Sequence, residues 1–519
     1  MSHSIESAYK VLSTNFGEPD NTLTLRNLLI KRFQALEQTE DVTIDDVLLT
    51  HNLFLTSSFK PFVSTSSIYI KTTLPHFNLG SFVTIDLDRC FNGDFIHDMY
   101  LDITVNELGD INNTDITALK YRYTPYPGIR LIEKVELWLN GRKVDSYNQE
   151  DMLFYMNNEL SDEKREAFKR CVGQSEYKES YYYSNDREQN EIKYITDGYQ
   201  TFKSHQDKLH MTVPLLFWFN KYIEKSYPVL KQDSVIINNS RNHLKVTFAS
   251  LDKIIQIGKY NADKGVTDNT TELTPYFDYL PLANITLPRI DIELYVNNIY
   301  VNEEVRKFYI ANIDMYMVTT YSSFNMNAHN LDEIKIKDLS DMTPYLYFAF
   351  RTEANEKSFT NWHKFTWGKR KWYPVPVYES DTVSQNGYST NVFILTLKRC
   401  YYDTEYPIIK KFLLNFDTLP YVIYDSPSDY NKYMAQQKGD QYTYSYDKGI
   451  YLLSFCRKFT DVEPSGHINF TKIQEVILKF DVDENIKGQK MKLYISAKRI
   501  NLLSINDTDV YMQWSSYLA

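Results

Sequence analysis

Ser465 and His467, in the stretch EPSGHINFTKIQEVILKF (463–480), are the residue types of a nucleophile and its base. At that spacing they can share one face of a strand. Acyl transfer also needs an acid to orient the imidazole and a donor-lined pocket for the oxyanion. Neither is evident nearby, and Pro464-Ser465-Gly466 reads as a turn, with Asn469 able to fix it through side-chain bonds to the backbone. His97-Asp98, in GDFIHDMYL, sets a base beside an acid, but adjacent strand residues point to opposite faces. His205 and His210 are five apart, not the helical i, i+4 pair a metal prefers, and no Cys/His cluster has zinc spacing. No phosphate-binding loop, dinucleotide fingerprint, HExxH or GxSxG elbow is present. The reading is a protein with no catalytic, cofactor-binding or metal-binding residues, and not an enzyme.

Two further patterns carry chemistry of another kind. NWHKFTWGKRKWYPVP (361–376) interleaves Trp362, Trp367 and Trp372 with Lys364, Lys369, Arg370 and Lys371. Such a run can stack single-stranded bases or sugars. In a chain of net charge −10, ending at Pro374 and Pro376, it reads as a packed loop or interface. Formal glycosylation sequons stand at Asn112, Asn238, Asn269, Asn284, Asn469 and Asn506. In an Asn-rich chain most are chance, and the glycosylation state stays open.

The elements that must position these residues follow from composition and period. The 519 residues exceed one ordinary core, and two domains are expected. Tyr (43) and Phe (29) are abundant and Gly (16) is scarce, which favours strands over flexible linkers. The acidic balance argues against a sequence-independent coat on nucleic acid, so no direct genome binding is expected. Four widely spaced cysteines (Cys90, Cys171, Cys400, Cys456) are no disulfide framework and suit a reducing compartment. The N-terminus lacks the order of a signal peptide, and no apolar run approaches the ~20 residues that span a bilayer. A soluble protein made in the cytoplasm is expected.

Residues 1–55 read as an N-terminal arm with an amphipathic helix carrying Leu28, Leu29, Phe33 and Leu36. That helix can serve a partner or fold back on its own chain. From Ser57 the period becomes two. In RIDIELYV, Ile290, Ile292, Leu294 and Val296 share a face opposite Arg289, Asp291, Glu293 and Tyr295. Asn140-Gly141, between VELWL and RKVDSY, predicts a type I′ hairpin. Ser161 with Asp162 and Glu163 predicts a short helix through LSDEKREAFKRC. A second strand-rich half begins after Phe308 with YIANIDMYMVTTYS. The absence of strand–helix alternation argues for two antiparallel sandwiches in tandem, with eight-stranded jelly rolls the leading type. The spans are 56–308 for the first and 309–519 for the second. Polar, Tyr/Asn/Asp-rich stretches at 175–200 and 259–279 read as surface excursions.

Five blocks in order then resemble a known family. They are GDFIHDMYLDITV (93–105), GIRLIEKVELWLNGRKVDSYNQEDMLFYMNNELSDEKREAF (128–168), LHMTVPLLFWFN (209–220), ELYVNNIYVNEEVRKF (293–308) and GIYLLSFCRKFTDVEPSGHINFTKIQEVIL (449–478). Together they resemble the major capsid proteins of nucleocytoplasmic large DNA viruses. The resemblance implies an all-β double jelly roll with few short helices, assembled as a homotrimer. Three subunits then give a nearly hexagonal capsomer that tiles an icosahedral shell in the virion over an internal membrane. Neighbouring capsomers and minor capsid and penton proteins would be its partners; the arm's amphipathic stretch suggests a place on the inner side, touching minor proteins or membrane. The excursions at 175–200 and 259–279 are where outward towers are expected. The C-terminal INDTDVYMQWSSYLA lacks the small-residue ending common in that family. Rival readings are a double jelly-roll assembly scaffold and a carbohydrate-binding β-sandwich motivated by the three tryptophans.

Overall fold

Strict alternation becomes burial in the computed structural model. Ile292, Leu294 and Val296 are buried, while Asp291, Glu293 and Tyr295 are only partly covered. The structure describes residues 65–74, 79–110, 119–174, 181–182, 193–194, 199–200, 202–229, 242–260, 277–282, 287–312, 315–385, 388–417, 419–424, 427–461, 464–505 and 510–513. The arm 1–55, most of both excursions, and the sequons other than Asn469 lie outside them.

The first sandwich uses strands β1 (Thr65–Thr73), β2 (Phe82–Asp86), β3 (Phe95–Val105), β4 (Ile132–Leu139), β5 (Arg142–Asn148), β6 (Leu209–Pro214), β7 (His243–Phe248) and β8 (Ile290–Val301). They pair antiparallel in the orders β1-β8-β3-β6 and β2-β7-β4-β5. Leu101 and Ile103 of β3 join Val135 and Leu137 of β4 in one buried core. The β4–β5 turn has Asn140 at φ 50° and Gly141 at φ 74°, the left-handed pair a type I′ hairpin requires. Shorter strands and helices decorate the connections. Helix α1 (Gln149–Asn158) starts at a capping box between Asn148 and Asp151. Helix α2 (Asp162–Cys171) forms where Ser161 predicts it, although the Ser161 side chain makes no cap bond.

Helix α3 (Glu303–Asn312) links the sandwiches and revises one expectation: Tyr309–Asn312 are helical, and the strand begins only at Met315. Asn302 accepts a bond from the Val305 N–H at 3.0 Å, with Glu303 and Glu304 in the first turn. An N-cap and a dipole-matched start outweigh the Tyr/Ile content there.

The second sandwich repeats the first. Its strands are β9 (Met315–Asn327), β10 (Glu333–Ile336), β11 (Tyr345–Thr352), β14 (Ile409–Phe416), β15 (Leu419–Tyr424), β16 (Ile450–Ser454), β17 (Val476–Val482) and β18 (Met491–Ile505). The orders are β9-β18-β11-β16 and β10-β17-β14-β15, the same first-eighth-third-sixth and second-seventh-fourth-fifth pattern. Phe348 meets Phe412 at 5.3 Å and Phe350 meets Phe480 at 4.6 Å, closing the core between the two sheets. The molecule is a double jelly roll, mostly β with few short helices.

Between β11 and β14 stands a ribbon of two strands, β12 (Thr366–Gln385) and β13 (Tyr388–Pro407), paired from Thr366↔Pro407 to Gln385↔Tyr388. At about 3.3 Å per residue it spans roughly 65 Å. This replaces the packed loop or interface expected over 361–376 with a strand from Thr366 onward, while 361–365 remain a packed turn. Pro374 and Pro376 sit two apart on one strand, a spacing that puts both on the same edge of a ribbon, where no ladder bond is lost.

Candidate functional site

The residues that suggested catalysis are scaffold. The Ser465 hydroxyl donates to the Lys458 carbonyl at 3.0 Å and accepts from the Lys458 N–H at 2.8 Å. His467 is exposed on the far side of Gly466, whose φ of +150° takes the chain past Cys456. Asn469 accepts from the Thr471 N–H at 3.1 Å and caps the turn Phe470–Lys472. The stretch is a corner leading into β17, and Ile473 lies before the strand, not in a bulge within it.

His97 and Asp98 behave differently from the expectation. The β3–β8 register shifts between Val296 and Asn298, so these two residues oppose Asn297 alone. The bulge brings both to the wall of one cleft. They do not act together: Asp98 accepts from the Tyr69 hydroxyl at 2.8 Å and the Asn297 amide at 2.7 Å. His205 and His210 have separate acids, Asp207 at 3.4 Å and Asp102 at 2.7 Å. Among the described residues, no group of three His, Cys, Asp or Glu could hold a metal ion. Trp362 is fully buried and donates to the Pro125 carbonyl at 3.1 Å; Trp367 stacks on Tyr406 at 5.1 Å. A buried Trp362 cannot offer a platform to sugars or bases.

Polar chemistry concentrates instead in the seam between the sandwiches. Strand β11 is buried along its whole length because both faces are covered. Leu346, Phe348 and Phe350 enter the second core, while Tyr345, Tyr347 and Arg351 face the first sandwich. Strand β18 alternates in the same way, with Ile495 and Ala497 in the core and Ser496 and Lys498 toward the seam. Against this face pack β5, α1 and the helical turn Trp218–Lys221. Tyr147 meets Tyr321 at 5.7 Å, and Phe154 meets Phe365 at 5.3 Å and Tyr347 at 5.8 Å.

Three polar clusters are set into that aromatic layer. At one end, Arg351 binds Glu150 at 2.6 Å and the Trp362 carbonyl at 2.9 Å, and the Arg130 guanidinium lies 4.6 Å from the centre of the Trp362 ring. In the middle, Asp145 accepts from the Tyr321 N–H at 3.0 Å, and Asp151 accepts from the Ser323 hydroxyl at 2.6 Å and the Asn148 N–H at 2.7 Å. At the other end, Glu159 is paired with Lys221 at 2.8 Å and faces the hydroxyls of Tyr345 (3.3 Å) and Tyr347 (3.5 Å). Tyr222 and Tyr446 add bonds across the seam to the Thr460 carbonyl and the Asp162 carboxylate.

Burial and pairing compete over each charge. Burial disfavours ionised Glu150 and Glu159, but Arg351 and Lys221 outweigh it and hold both below the usual carboxylate range. Lys221 is held above its ordinary value by Glu159. Asp151 has backbone and hydroxyl donors but no cation, and burial pushes it up to about 6. Burial raises Asp145 and lowers Lys498. His363, buried with Lys364, Arg351 and Arg130 near it, is pushed down to about 3 and stays neutral. These groups are committed to partners across the two sandwiches. The seam can lock two sandwiches at one angle.

Comparison with known proteins agrees with this geometry. The family model for the major capsid protein N-terminus matches residues 64–302. A major capsid protein of African swine fever virus (Warthog/Namibia isolate) is 19% identical, covering 97% of this chain and 99% of the relative. That of the Pig/Kenya isolate is 22% identical over 63% of this chain and 52% of its own length, so the chain spans about half of that relative in the match. The Faustovirus major capsid protein superposes with a TM-score of 0.66 at 19% identity, covering 94% of this chain and all of that one. The likeness throughout is to major capsid proteins, with the family match lying in residues 64–302. A PBCV-1 capsid structure has the same fold, with a TM-score of 0.55 at 16% identity over 89% of this chain and all of that one. The anticipated likeness to major capsid proteins and the double jelly roll are therefore both observed.

The seam residues were not singled out from the sequence. A usable signal existed: PYLYFAFR and QKMKLYISAKRINLLSI place Arg351 and Lys498 inside apolar runs, where a charge must be paired or functional.

Proposed function

We propose that this major capsid protein assembles as a homotrimer, a nearly hexagonal capsomer that tiles the icosahedral outer shell of a large DNA virus. The observation that carries the reading is the repeated strand order of the two sandwiches, fixed to one another by the buried seam. Two similar blocks per subunit, taken three times, supply six similar blocks around a threefold axis. Loops at the sandwich ends and the β12–β13 ribbon leave the lateral walls for neighbouring capsomers. Contacts of that kind need large, apolar-centred patches. Minor capsid and penton proteins complete the set of partners, and the arm 1–55 meets the inner membrane or proteins on it. The role is structural, without catalysis, and assembly takes place in the host cytoplasm.

Light scattering on the purified chain tests the oligomer: three times the subunit mass is expected, and a stable monomer at micromolar concentration overturns it. Proteomics of purified particles separates shell from scaffold, since a shell protein is the dominant species and a discarded scaffold is absent.

A further inference from the structure

The seam does not close completely. A cleft of about 350 Å³ remains, walled by His97, Lys221 and Lys225 from the first sandwich and by Met317, Lys458 and Lys498 from the second. That volume is at the lower end for small-ligand sites and equals roughly a dozen water volumes, near the bulk of an eight-carbon chain.

The charges around it are mostly matched. Lys221 pairs with Glu159 at 2.8 Å, Lys458 pairs with Asp461 at 3.1 Å, and Asp98 takes the Tyr69 hydroxyl and the Asn297 amide. Lys225 donates to the Met317 carbonyl at 3.1 Å. Lys498 is the exception. It is 8% exposed, its ammonium rests 2.9 Å from the centre of the Tyr321 ring, and among the described residues it has no carboxylate within ion-pair distance. Glu159, Asp145 and Asp151 act on it only through space, and burial still pulls it below the ordinary lysine value. A ring face offsets only part of the cost of a buried cation. On the same cleft, the buried Nδ1 of His97 has no hydrogen-bond partner among the described residues. Met99, Leu216, Trp218, Val318, Pro344 and Phe459 add apolar surface to the wall, between polar groups such as Thr212, Asn220 and Thr319.

A buried cation beside an apolar wall is the complement of an anion with a short hydrocarbon tail. We propose that this cleft binds a medium-chain monocarboxylate, its carboxylate on Lys498 and its hydrocarbon against Trp218 and Val318. The ligand would bridge the two sandwiches and fasten the seam where the protein leaves it open. The proposal rests on the cleft alone and stands whether or not the trimer reading does.

Titration calorimetry on the full chain at pH 7 tests it with three probes: octanoate, octanol and inorganic phosphate. Octanoate is expected to bind saturably, one per chain, at least about tenfold more tightly than octanol or phosphate. Lys498→Met should weaken octanoate by about tenfold or more while the thermal transition persists. Should that variant not fold, Met317→Trp narrows the cleft from a position 36% exposed, leaves Lys498 in place, and should abolish binding. Absent octanoate binding, equal binding of octanol or of phosphate, or unchanged affinity in the variant that folds would each overturn the proposal.

Discussion

The two sandwiches share one strand order and differ in what joins their third and fourth strands. In the first, β3 and β4 are joined through the strand Leu119–Tyr123 and the helical turn Pro127–Leu131, both folded onto the body. In the second, the corresponding connection between β11 and β14 holds the ribbon β12–β13, whose strands pair mainly with each other. The contrast separates two kinds of constraint. Strand order and core alternation are tied together by burial, so they repeat even where residues do not. A connection that leaves the sheet answers to no core and is free to lengthen.

The largest expected effect tests whether the sandwiches are two units or one. Arg351→Met leaves Glu150 buried without its cation and should cost about 3–5 kcal/mol. Adding Glu150→Leu should restore much of that loss in chemical denaturation. Full stability of the single variant would mean that the seam contributes little and the sandwiches fold apart.

Core truncation sharpens the comparison from inside. Leu101→Ala in the first core and Leu414→Ala in the second should each cost about 2–5 kcal/mol, both leucines being 2% exposed or less. If the seam couples the sandwiches, each variant shifts one shared calorimetric transition. Two separate transitions, each moved by one variant only, would break the coupling.

A smaller effect is set by pH. Burial pushes Asp447 up to about 6, against N–H donors from Phe365 at 2.9 Å and Gly449 at 2.8 Å. Asp151 is raised to the same level. A carboxyl that titrates near 4 in the unfolded chain and near 6 when folded binds its proton more tightly in the native state. Its stabilising contribution is full below pH 4 and is lost as pH rises through 6. Glu150 and Glu159, held low, act in the opposite sense and lose their contribution as pH falls below the usual carboxylate range. Asp447→Asn should therefore flatten the fall in melting temperature between pH 4 and 6, an effect on the order of 1–3 kcal/mol. An unchanged pH profile would contradict the raised value.

The smallest effect belongs to the ribbon. Replacing residues 369–404 by Asn-Gly should change the stability of the isolated chain by no more than about 0.5 kcal/mol. A large loss would show that the ribbon braces the second sandwich after all.

By itself, the sequence determined the class of the fold and much of its detail. Alternation in RIDIELYV and SIYIKTTL, the Asn140-Gly141 hairpin and the helix after Ser161 are local patterns, and their physics operates over two to ten residues. The turn at Pro464-Ser465-Gly466 and the capping by Asn469 were readable for the same reason. Tertiary structure alone decided the seam. Glu150 and Arg351 are far apart in the chain, and no period links them. The bulge that turns His97 and Asp98 toward one cleft exists only in the pairing of β3 with β8. The burial of Trp362 depends on the first sandwich supplying the Pro125 carbonyl and the Arg130 cation. A local pattern records which face of a strand is apolar, while the partner that covers its other face is a property of the assembled molecule.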